Sequence, residues 1–329
     1  MSFGLLFGKY RGAVIQSRIS PVSRPAILLM LGLAVMGLVA SIATRFTVAT
    51  LPNIAPFILG IVGLDVLSQF APQTRIVEAV QAFIYGVMYL VVTCLCGVTA
   101  AYALQRFAFP LQDHNLADAD LALGLNWQAF AHWVDSHAAI QNIFYWTYYS
   151  ISCQIALPLL VLVFAGKPSE VRSYLLAFTI AFIVTIIISA LMPAVGPIVF
   201  ADRTSFHLLQ FTGATPADQL IRLREAAPLI LRESPGGIAT FPSFHATIAV
   251  LTPLALRRYG RIFGGLLILN VFMLGATVTE GAHYFVDVIA GGAIAFVAYA
   301  LAKRIIVMED RAADFALNAP AQALPAPSR

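Results

Sequence analysis

Two short stretches, Thr240-Phe241-Pro242-Ser243-Phe244-His245 and His283-Tyr284-Phe285-Val286-Asp287, place ionisable side chains against otherwise apolar sequence. Each stands at the start of a predicted helix. The residues between them suffice for one helix out and one helix back, which returns the chain to the side from which it started. Two imidazoles and a carboxylate are therefore predicted to meet at one end of a helical bundle.

The spacing of these side chains predicts a specific chemistry. Asp287 follows His283 by four residues, so on a helix the two share a face and the carboxylate can hold one ring nitrogen. An imidazole oriented in this way can attack phosphorus and form a phosphohistidine intermediate. His245 can then act as general acid on the leaving oxygen and as base for the incoming hydroxyl.

The start of the helix that carries His245 adds a place for phosphate oxygens. Free backbone N–H groups and the positive end of the helix dipole gather at such a start. Pro242 is expected at the first helical position. Ser243 is expected to cap the helix, and a contact between its hydroxyl and phosphate is the functional alternative.

Composition places the chain in a membrane. Of 329 residues, 60% are hydrophobic and 11% are charged, and the mean hydropathy is +0.84, which excludes an ordinary soluble protein. Long apolar segments must be helical because lipid leaves no partner for unpaired backbone groups. The predicted spans are 26–44, 51–70, 79–105, 141–165, 173–195, 243–256, 262–279 and 282–302.

The segment 51–70 is the weakest of these spans, because it contains Pro52 and Pro56, and a re-entrant or tilted segment is its alternative. If it crosses, most of the 20 Lys and Arg residues fall on the side of the N-terminus. The positive-inside rule then predicts cytoplasmic termini and a periplasmic active site in the cell membrane, such as a bacterial inner membrane. This distribution of charge indicates no nucleic-acid partner. The three cysteines fall within predicted spans and imply no disulfide framework.

Two connections outside the membrane are long. In the first, Leu121, Leu125, Phe130, Trp133 and Val134 recur at near-helical spacing. This stripe predicts a helix that either lies in the membrane interface or simply connects two spans on the solvent side. The second connection, 198–240, is too long for a simple turn, and such loops commonly carry function.

The two motifs resemble the second and third motifs of the type-2 phosphatidic acid phosphatase superfamily. The second motif there usually reads Pro-Ser-Gly-His, and Phe244 replaces the glycine. The third usually has Ser-Arg separated by five residues from its histidine, where this chain has Ala276-Thr277. These departures are shared by the branch that resembles inositol-phosphorylceramide and sphingomyelin synthases, in which His-Tyr-x-x-Asp is typical. Asp120 to Trp127 and the Pro193 to Pro197 turn are also similar to bacterial members of that branch.

The resemblance implies an all-α, polytopic helical bundle with a six-helix core and two additional N-terminal spans. We therefore divide the chain into a basic cytoplasmic N-terminus (1–25), N-terminal transmembrane helices (26–110), a catalytic membrane domain (115–305) and a disordered tail (306–329).

The resemblance also implies metal-independent phosphoryl transfer on a lipid phosphate, with no cofactor. It makes His283 the nucleophile, Asp287 its orienting partner, His245 the acid and base, and Ser243 a phosphate contact.

The basic first motif of the phosphatases, Lys-x6-Arg-Pro, is absent. A phosphoryl transition state still needs positive charge around its equatorial oxygens. Arg203 and Arg232, in the long polar loop, are the candidates for this charge.

Several functions remain open at the level of sequence. Water and a second alcohol attack the same intermediate, so the residues do not separate a phosphatase from a phosphotransferase such as an inositolphosphotransferase, nor do they identify the head group. Two His and one Asp could also ligate a metal in a metal-dependent hydrolase. A lipid or solute transporter is the non-enzymatic alternative, and it predicts polar groups near the middle of the membrane rather than at helix starts.

Overall fold

The computed structural model of the chain describes residues 21–48, 59–60, 63, 66, 70, 74–206, 214–225, 229–231 and 237–318. These residues form a bundle of α-helices with one small strand pair. The helices are α1 (Arg24–Thr44), α2 (Arg75–Gln105), α3 (Asp113–Ala122), α4 (Trp127–Asp135), α5 (Ala138–Tyr149), α6 (Ile151–Phe164), α7 (Pro168–Leu191), α8 (Ala214–Glu225), α9 (Phe244–Leu256), α10 (Gly260–Thr279) and α11 (Phe285–Asn318).

Three shorter pieces complete the described structure. Two 3-10 turns, Pro197–Val199 and Arg203–Ser205, follow α7. Strands β1 (Phe46–Val48) and β2 (Leu229–Leu231) pair in parallel. The loop predicted at 198–240 therefore contains a helix and a strand, and the strand pairing ties it to the end of α1.

Five helices, α1, α2, α7, α10 and α11, are long and apolar enough to cross a membrane. The pair α5 and α6 adds a sixth span if it is counted as one helix with a bend of 53°. Helix α9 is apolar but has only 13 residues. The prediction of a helical, multi-pass membrane protein is confirmed. The predicted span 51–70 lies largely outside the described residues.

Helix α7 forms the centre of the bundle and is the most buried of the five long spans. It packs against α2 and α11, and its Tyr174 and Phe178 are fully buried. The hydroxyl of Tyr89, from α2, lies 2.6 Å from that of Thr179 and donates to the carbonyl of Ala26 at 2.9 Å. Satisfying these polar groups internally is what allows α1, α2 and α7 to pack in an apolar environment.

Two ion pairs join α7 and α11 near one end of the bundle. Arg172 donates to Asp310 at 2.5 Å, and Lys303 donates to Glu170 at 2.8 Å. Asp310 and Lys303 lie far along α11, so these contacts fix where its second half lies against the start of α7.

The ends of the bundle are chemically distinct. Arg257, directly after α9, donates to the hydroxyl of Tyr299 on α11 at 2.6 Å. We call the end defined by Arg257 and Lys303 the basic end. The opposite end, where α9 and α11 begin, carries His245 and His283, and we call it the histidine end.

Two features of the region between residues 115 and 165 differ from the sequence expectation. The span predicted at 141–165 bends at Ser150, between α5 and α6, whereas Pro158 lies inside α6. The stripe predicted across residues 121–134 is interrupted at Gly124, which has a φ of 74° and separates α3 from α4. The predicted single amphipathic helix was therefore wrong, and its stripe is divided between two helices.

The last helix is longer than the sequence indicates. The predicted span ended near Lys303, with a disordered tail over 306–329, but α11 continues to Asn318. The tail prediction is therefore wrong for residues 306–318, where the Asp310 ion pair holds the chain against α7. Residues 319–329 lie outside the described part of the chain.

Candidate active site

His283 and Asp287 form a buried pair at the histidine end. His283 lies in the turn before α11, and Asp287 lies in the first turn of that helix. Nδ1 of His283 is 3.2 Å from Oδ2 of Asp287, and the side chains are 7% and 0% exposed. The same carboxylate oxygen accepts the N–H of Tyr284 at 2.8 Å. The predicted contact between the carboxylate and one ring nitrogen is present, and Nε2 is the nitrogen that it leaves. The predicted reason was wrong, because His283 precedes α11 and does not share a helix face with Asp287.

The turn that presents His283 has an unusual backbone. Ala282 has a φ of 52°, in the left-handed region that residues with a Cβ seldom adopt. A Cβ on the preceding Gly281 would lie 2.7 Å from Cδ2 of His283. A side chain at that position would displace the imidazole, so the glycine is what allows His283 its place.

The second motif begins α9 beside this turn. Ser243 is the N-cap of α9, fully buried, and its hydroxyl accepts the N–H of Ala246 at 3.3 Å. Pro242 precedes the cap, so its expected place at the first helical position was wrong by two residues. The capping role of Ser243 is thus observed, and its contact with phosphate stays a prediction.

Backbone contacts lock the starts of α9 and α11 together. The N–H of Ser243 donates to the backbone carbonyl of Asp287 at 3.0 Å. The hydroxyl of Thr247 donates to the backbone carbonyl of Gly291 at 3.0 Å. A Cβ on Gly291 would lie 2.2 Å from the carbonyl oxygen of Ser243. The two motifs, 40 residues apart in sequence, are therefore parts of one rigid contact.

Tyr148, from α5, links the two histidines. Its ring stacks on that of His245, with centroids 4.1 Å apart and planes at 10°. A Cβ on Gly281 would contact both Cδ2 of His283 and, at 3.2 Å, Cε2 of Tyr148. His245 and His283 also lie near enough for electrostatic interaction. Tyr148 is thus in ring contact with His245 and lies near His283.

Sequence reasoning missed this role of Tyr148. An aromatic run such as that at residues 144–149 is typical of an interfacial belt, and Trp146 and Tyr149 are 67% and 47% exposed. Tyr148 points instead toward the site. Tyr148 lies four residues after Phe144, which is buried against Gly275, so the two side chains share one face of α5.

Two buried carboxylates of α3, those of Asp113 and Asp120, form hydrogen bonds with the residues that follow His283. Asp120 accepts the N–H of Phe285 and of Val286, both at 2.9 Å. Asp113 accepts the hydroxyl of Tyr284 at 3.1 Å. Burial raises the pKa of Asp120 above its ordinary value, and its backbone hydrogen bonds oppose that rise. The sequence showed these aspartates only as acids in a polar connection, and nothing local indicated their burial.

The two candidate phosphate-binding arginines belong to the long polar connection. Arg203 begins the second 3-10 turn, and Arg232 lies outside the described residues. Their role stays a prediction. Glu280, directly after α10, is 1% exposed and lies within electrostatic range of Tyr148, so a further acid is buried near the site.

A cavity of about 450 Å³ lies beside the histidines rather than over them. Its wall is formed by α3, α4, the Pro197–Val199 turn and Tyr284, with Trp127 and Phe200 among the aromatic residues. Neither His245 nor His283 lines it. Among the described residues, no group of three His, Cys, Asp or Glu side chains is arranged to hold a metal ion.

The fold and the site define a class of protein: a multi-pass helical membrane protein in which a carboxylate-held imidazole and a second imidazole meet at one end of the bundle. The model of the PAP2 superfamily matches residues 114–301. The chain belongs to this superfamily, and its matched region nearly coincides with the predicted catalytic domain, 115–305. No curated protein and no solved structure matches the chain. Membership indicates a phosphatase-type function on a lipid phosphate.

Proposed function

We propose that the protein is an integral membrane lipid phosphate phosphatase or phosphotransferase that works through a phosphohistidine intermediate. One observation carries the proposal. His283 is held through Nδ1 by a fully buried carboxylate, and its neighbour across Tyr148 is a second histidine, His245. Covalent phosphoryl transfer requires a nucleophile that is held in one orientation and a proton donor near the leaving oxygen.

The first step forms the intermediate. Nε2 of His283 attacks phosphorus, and the bond between phosphorus and the leaving oxygen breaks. His245, protonated on the nitrogen that faces the substrate, gives its proton to that oxygen. The modified ring of His283 then carries positive charge, which the carboxylate of Asp287 stabilises at 3.2 Å from Nδ1.

The second step releases the phosphoryl group. A water molecule or an alcohol attacks phosphorus, the bond between phosphorus and nitrogen breaks, and His245 accepts the proton of the attacking oxygen. With water the product is inorganic phosphate or a phosphorylated head group, and with an alcohol it is a new phosphodiester or monoester. Both outcomes use the same residues.

The start of α9 supplies donors for the phosphate. The first amide groups of a helix, here those of Phe244 and His245, have no intrahelical partner, and the helix dipole favours an anion there. Ser243 accepts a hydrogen bond from Ala246, so its own hydroxyl proton is left as a donor. Arg203 and Arg232 are proposed to add positive charge from the long loop.

The branch and the membrane side are parts of the same proposal. Phe244 in the second motif and Ala276-Thr277 before the third support the transferase branch, which resembles inositol-phosphorylceramide synthases. The basic residues at the opposite end support an active site on the outer face. The alternatives are a metal-dependent hydrolase and a transporter. The site at the starts of α9 and α11 favours an enzyme over a transport path through the middle of the membrane.

The proposal is tested with purified full-length protein and a panel of labelled lipid phosphates and phospholipids, with and without inositol, choline or another alcohol. We expect turnover by the wild type and acid-labile label on the protein. His283→Ala should remove nearly all turnover.

His114→Ala is the matched control. His114 also precedes an aspartate by four residues, but it is 89% exposed on α3. We expect it to keep wild-type turnover. Retained activity in His283→Ala would remove His283 from the role of nucleophile. Turnover that survives a chelator and is blocked by vanadate would reject the metal-dependent alternative.

A further inference from the structure

Helix α3 carries two buried carboxylates on one face. Asp113 and Asp120 are seven residues apart, which is about two helical turns, so their side chains point the same way. They are 5% and 2% exposed, whereas Asp118 on the same helix has a side chain that is 62% exposed. Buried carboxylates are costly unless hydrogen bonds compensate them, so the partners of these two indicate what they do.

The partners of Asp120 are backbone groups of the His283 turn. Its two oxygens accept from Phe285 and Val286, one each. These are the first two residues of α11, whose N–H groups have no intrahelical acceptor. A negative charge at that position also complements the helix dipole.

The partners of Asp113 lie in the same turn and in the one beside it. It accepts the hydroxyl of Tyr284 at 3.1 Å, the N–H of Val195 at 3.1 Å and that of Gly196 at 2.9 Å. Gly196 in turn presses on the His283 turn, because a Cβ there would lie 2.5 Å from the carbonyl oxygen of Ala282.

We propose that α3 is a positioning clamp for the catalytic turn and thereby aims the His283 ring at the substrate phosphorus. Asp120 holds the backbone that follows His283, and Asp113 holds the hydroxyl of Tyr284 and the Val195–Gly196 backbone that packs against Ala282. The proposal rests on the proposed function of His283. It assigns both aspartates as positioning residues, since neither touches the two histidines.

His283 needs such a clamp because the backbone of α11 does not hold it. It precedes the helix and follows Ala282, whose positive φ the surroundings must maintain. The position of the His283 ring relative to Asp287 therefore depends on residues 284–286. The backbone carbonyl of Asp287 accepts a hydrogen bond from the N–H of Ser243. A displaced turn would therefore also shift the start of α9, and His245 with it.

The clamp is distinguished from an ordinary helix cap by what its loss changes. A cap stabilises the fold, so its removal lowers the melting temperature and leaves the kcat of the folded protein intact. A positioning residue acts on the geometry of the attack, and a displacement of about 1 Å costs on the order of 10²-fold in rate. The substrate would still bind, so KM should change little.

The test compares Asp120→Asn with Asp118→Asn, which makes the same change of charge at an exposed position of the same helix. The probe is labelled phosphatidic acid, or whichever panel lipid the wild type turns over, with full-length protein in detergent. For Asp120→Asn we expect kcat to fall about 10²-fold, with KM within about twofold, because the amide presents a donor to one of the two N–H groups. Asp118→Asn should match the wild type.

Two further measurements keep the proposal testable if Asp120→Asn folds poorly or the wild type is inactive on every lipid. Tyr284→Phe removes only the hydroxyl that reaches Asp113, and it should lower kcat without a loss of melting temperature. Hydrogen exchange of the peptide that contains His283–Asp287 should accelerate in Asp120→Asn and not in Asp118→Asn.

The outcomes separate this proposal from the proposed function. Wild-type kcat in both Asp120→Asn and Tyr284→Phe, or unchanged exchange in the peptide, would overturn the clamp while leaving His283 as nucleophile. Inactivity of the wild type toward all lipids would instead count against the proposed function. Faster exchange in Asp120→Asn would then support the contact between α3 and the His283 turn, but not a role of that contact in catalysis.

Discussion

The histidine and aspartate pair at 283 and 287 has a counterpart in His114 and Asp118, with the same spacing. The distance from Nδ1 to Oδ2 is similar in the two pairs, 3.2 Å for the first and 3.4 Å for the second. The side chains of His283 and Asp287 are 7% and 0% exposed, whereas those of His114 and Asp118 are 89% and 62% exposed. Solvent and salt screen an exposed pair, which holds neither side chain in one orientation. Burial is therefore what converts this spacing into an imidazole held in one orientation.

The carboxylate of Asp287 should be needed for a high kcat and not for the folding stability of the protein. Asn at this position is isosteric and can still accept from the ring, but it cannot stabilise the positive charge that His283 acquires. Oδ1 of Asp287 is buried and accepts no hydrogen bond from the described residues, so the amide would not break one there. For Asp287→Asn we expect kcat to fall by about 10²- to 10⁴-fold, by analogy with other orienting carboxylates.

Steady-state kinetics and a melting curve check this prediction together. The melting temperature of Asp287→Asn should lie close to that of the wild type, because shape is kept and a buried charge is removed. A variant that melts normally and keeps a wild-type kcat would show that the carboxylate has no part in the chemistry.

At this scale, sequence reasoning identified the residues that share a motif and missed those that meet across the fold. Ser243 and its neighbour His245, and Asp287 after His283, are tied by spacings of two and four residues. Tyr148 and Asp120 reach the site from helices more than 90 residues away in sequence, where no periodicity reports on the contact.

The close approach of α9 and α11 holds the two motifs in register. The carbonyl of Ser243 faces Gly291 so closely that no Cβ fits between them, whereas a Cβ on Gly292 would meet its nearest atom, Cγ2 of Val250, at 3.6 Å. The two glycines are adjacent in α11 but have different surroundings. Only the first sets the distance between the helices.

Gly291→Ala should therefore separate the two motifs, and Gly292→Ala should not. The first change forces a clash with backbone, and overpacking of this kind costs about 1–3 kcal/mol of folding stability. It should also lower kcat, because His245 moves relative to His283. The second change places a methyl group in ordinary van der Waals contact and introduces a residue of higher helix propensity. The folding stability should change by at most about 1 kcal/mol in either direction.

Melting temperature and kcat, measured on both variants in the same detergent, check this pair. Equal behaviour of the two alanine variants would mean that the helices adjust without cost, and the geometric argument for Gly291 would then be wrong.

Among the elements, the sequence predicted the apolar helices well and their interruptions poorly. Hydropathy reports the length of an apolar run, which is why α1, α2, α7 and α10 fall where they were expected. The bend at Ser150 and the extension of α11 to Asn318 depend on packing and on the Asp310 ion pair, and neither feature changes the local composition. Pro158 lies inside α6 and not at this bend, so the position of a proline alone does not show where two helices separate.

In the described part of the chain, basic side chains are more frequent at one end of the bundle than at the other. Lys167, Arg172, Arg257, Arg258 and Lys303 all lie near the basic end, where α7 begins, α9 ends and the ion pairs of α11 form. The candidate site lies at the other end. Positive residues flanking membrane helices favour the cytoplasmic side, so the positive-inside rule predicts that the histidine end faces outward.

Cysteine labelling tests this orientation. In a background without Cys94, Cys96 and Cys153, single cysteines replace Asp118 at the histidine end and Arg258 at the basic end, both of which are exposed. We expect a membrane-impermeant maleimide to label Asp118→Cys in intact cells. Arg258→Cys should react only after the membrane is permeabilised, because its flanking arginines hold that end in the cytoplasm. The reverse pattern would put the histidines on the cytoplasmic face and contradict the proposal that the substrate is a lipid phosphate of the outer leaflet.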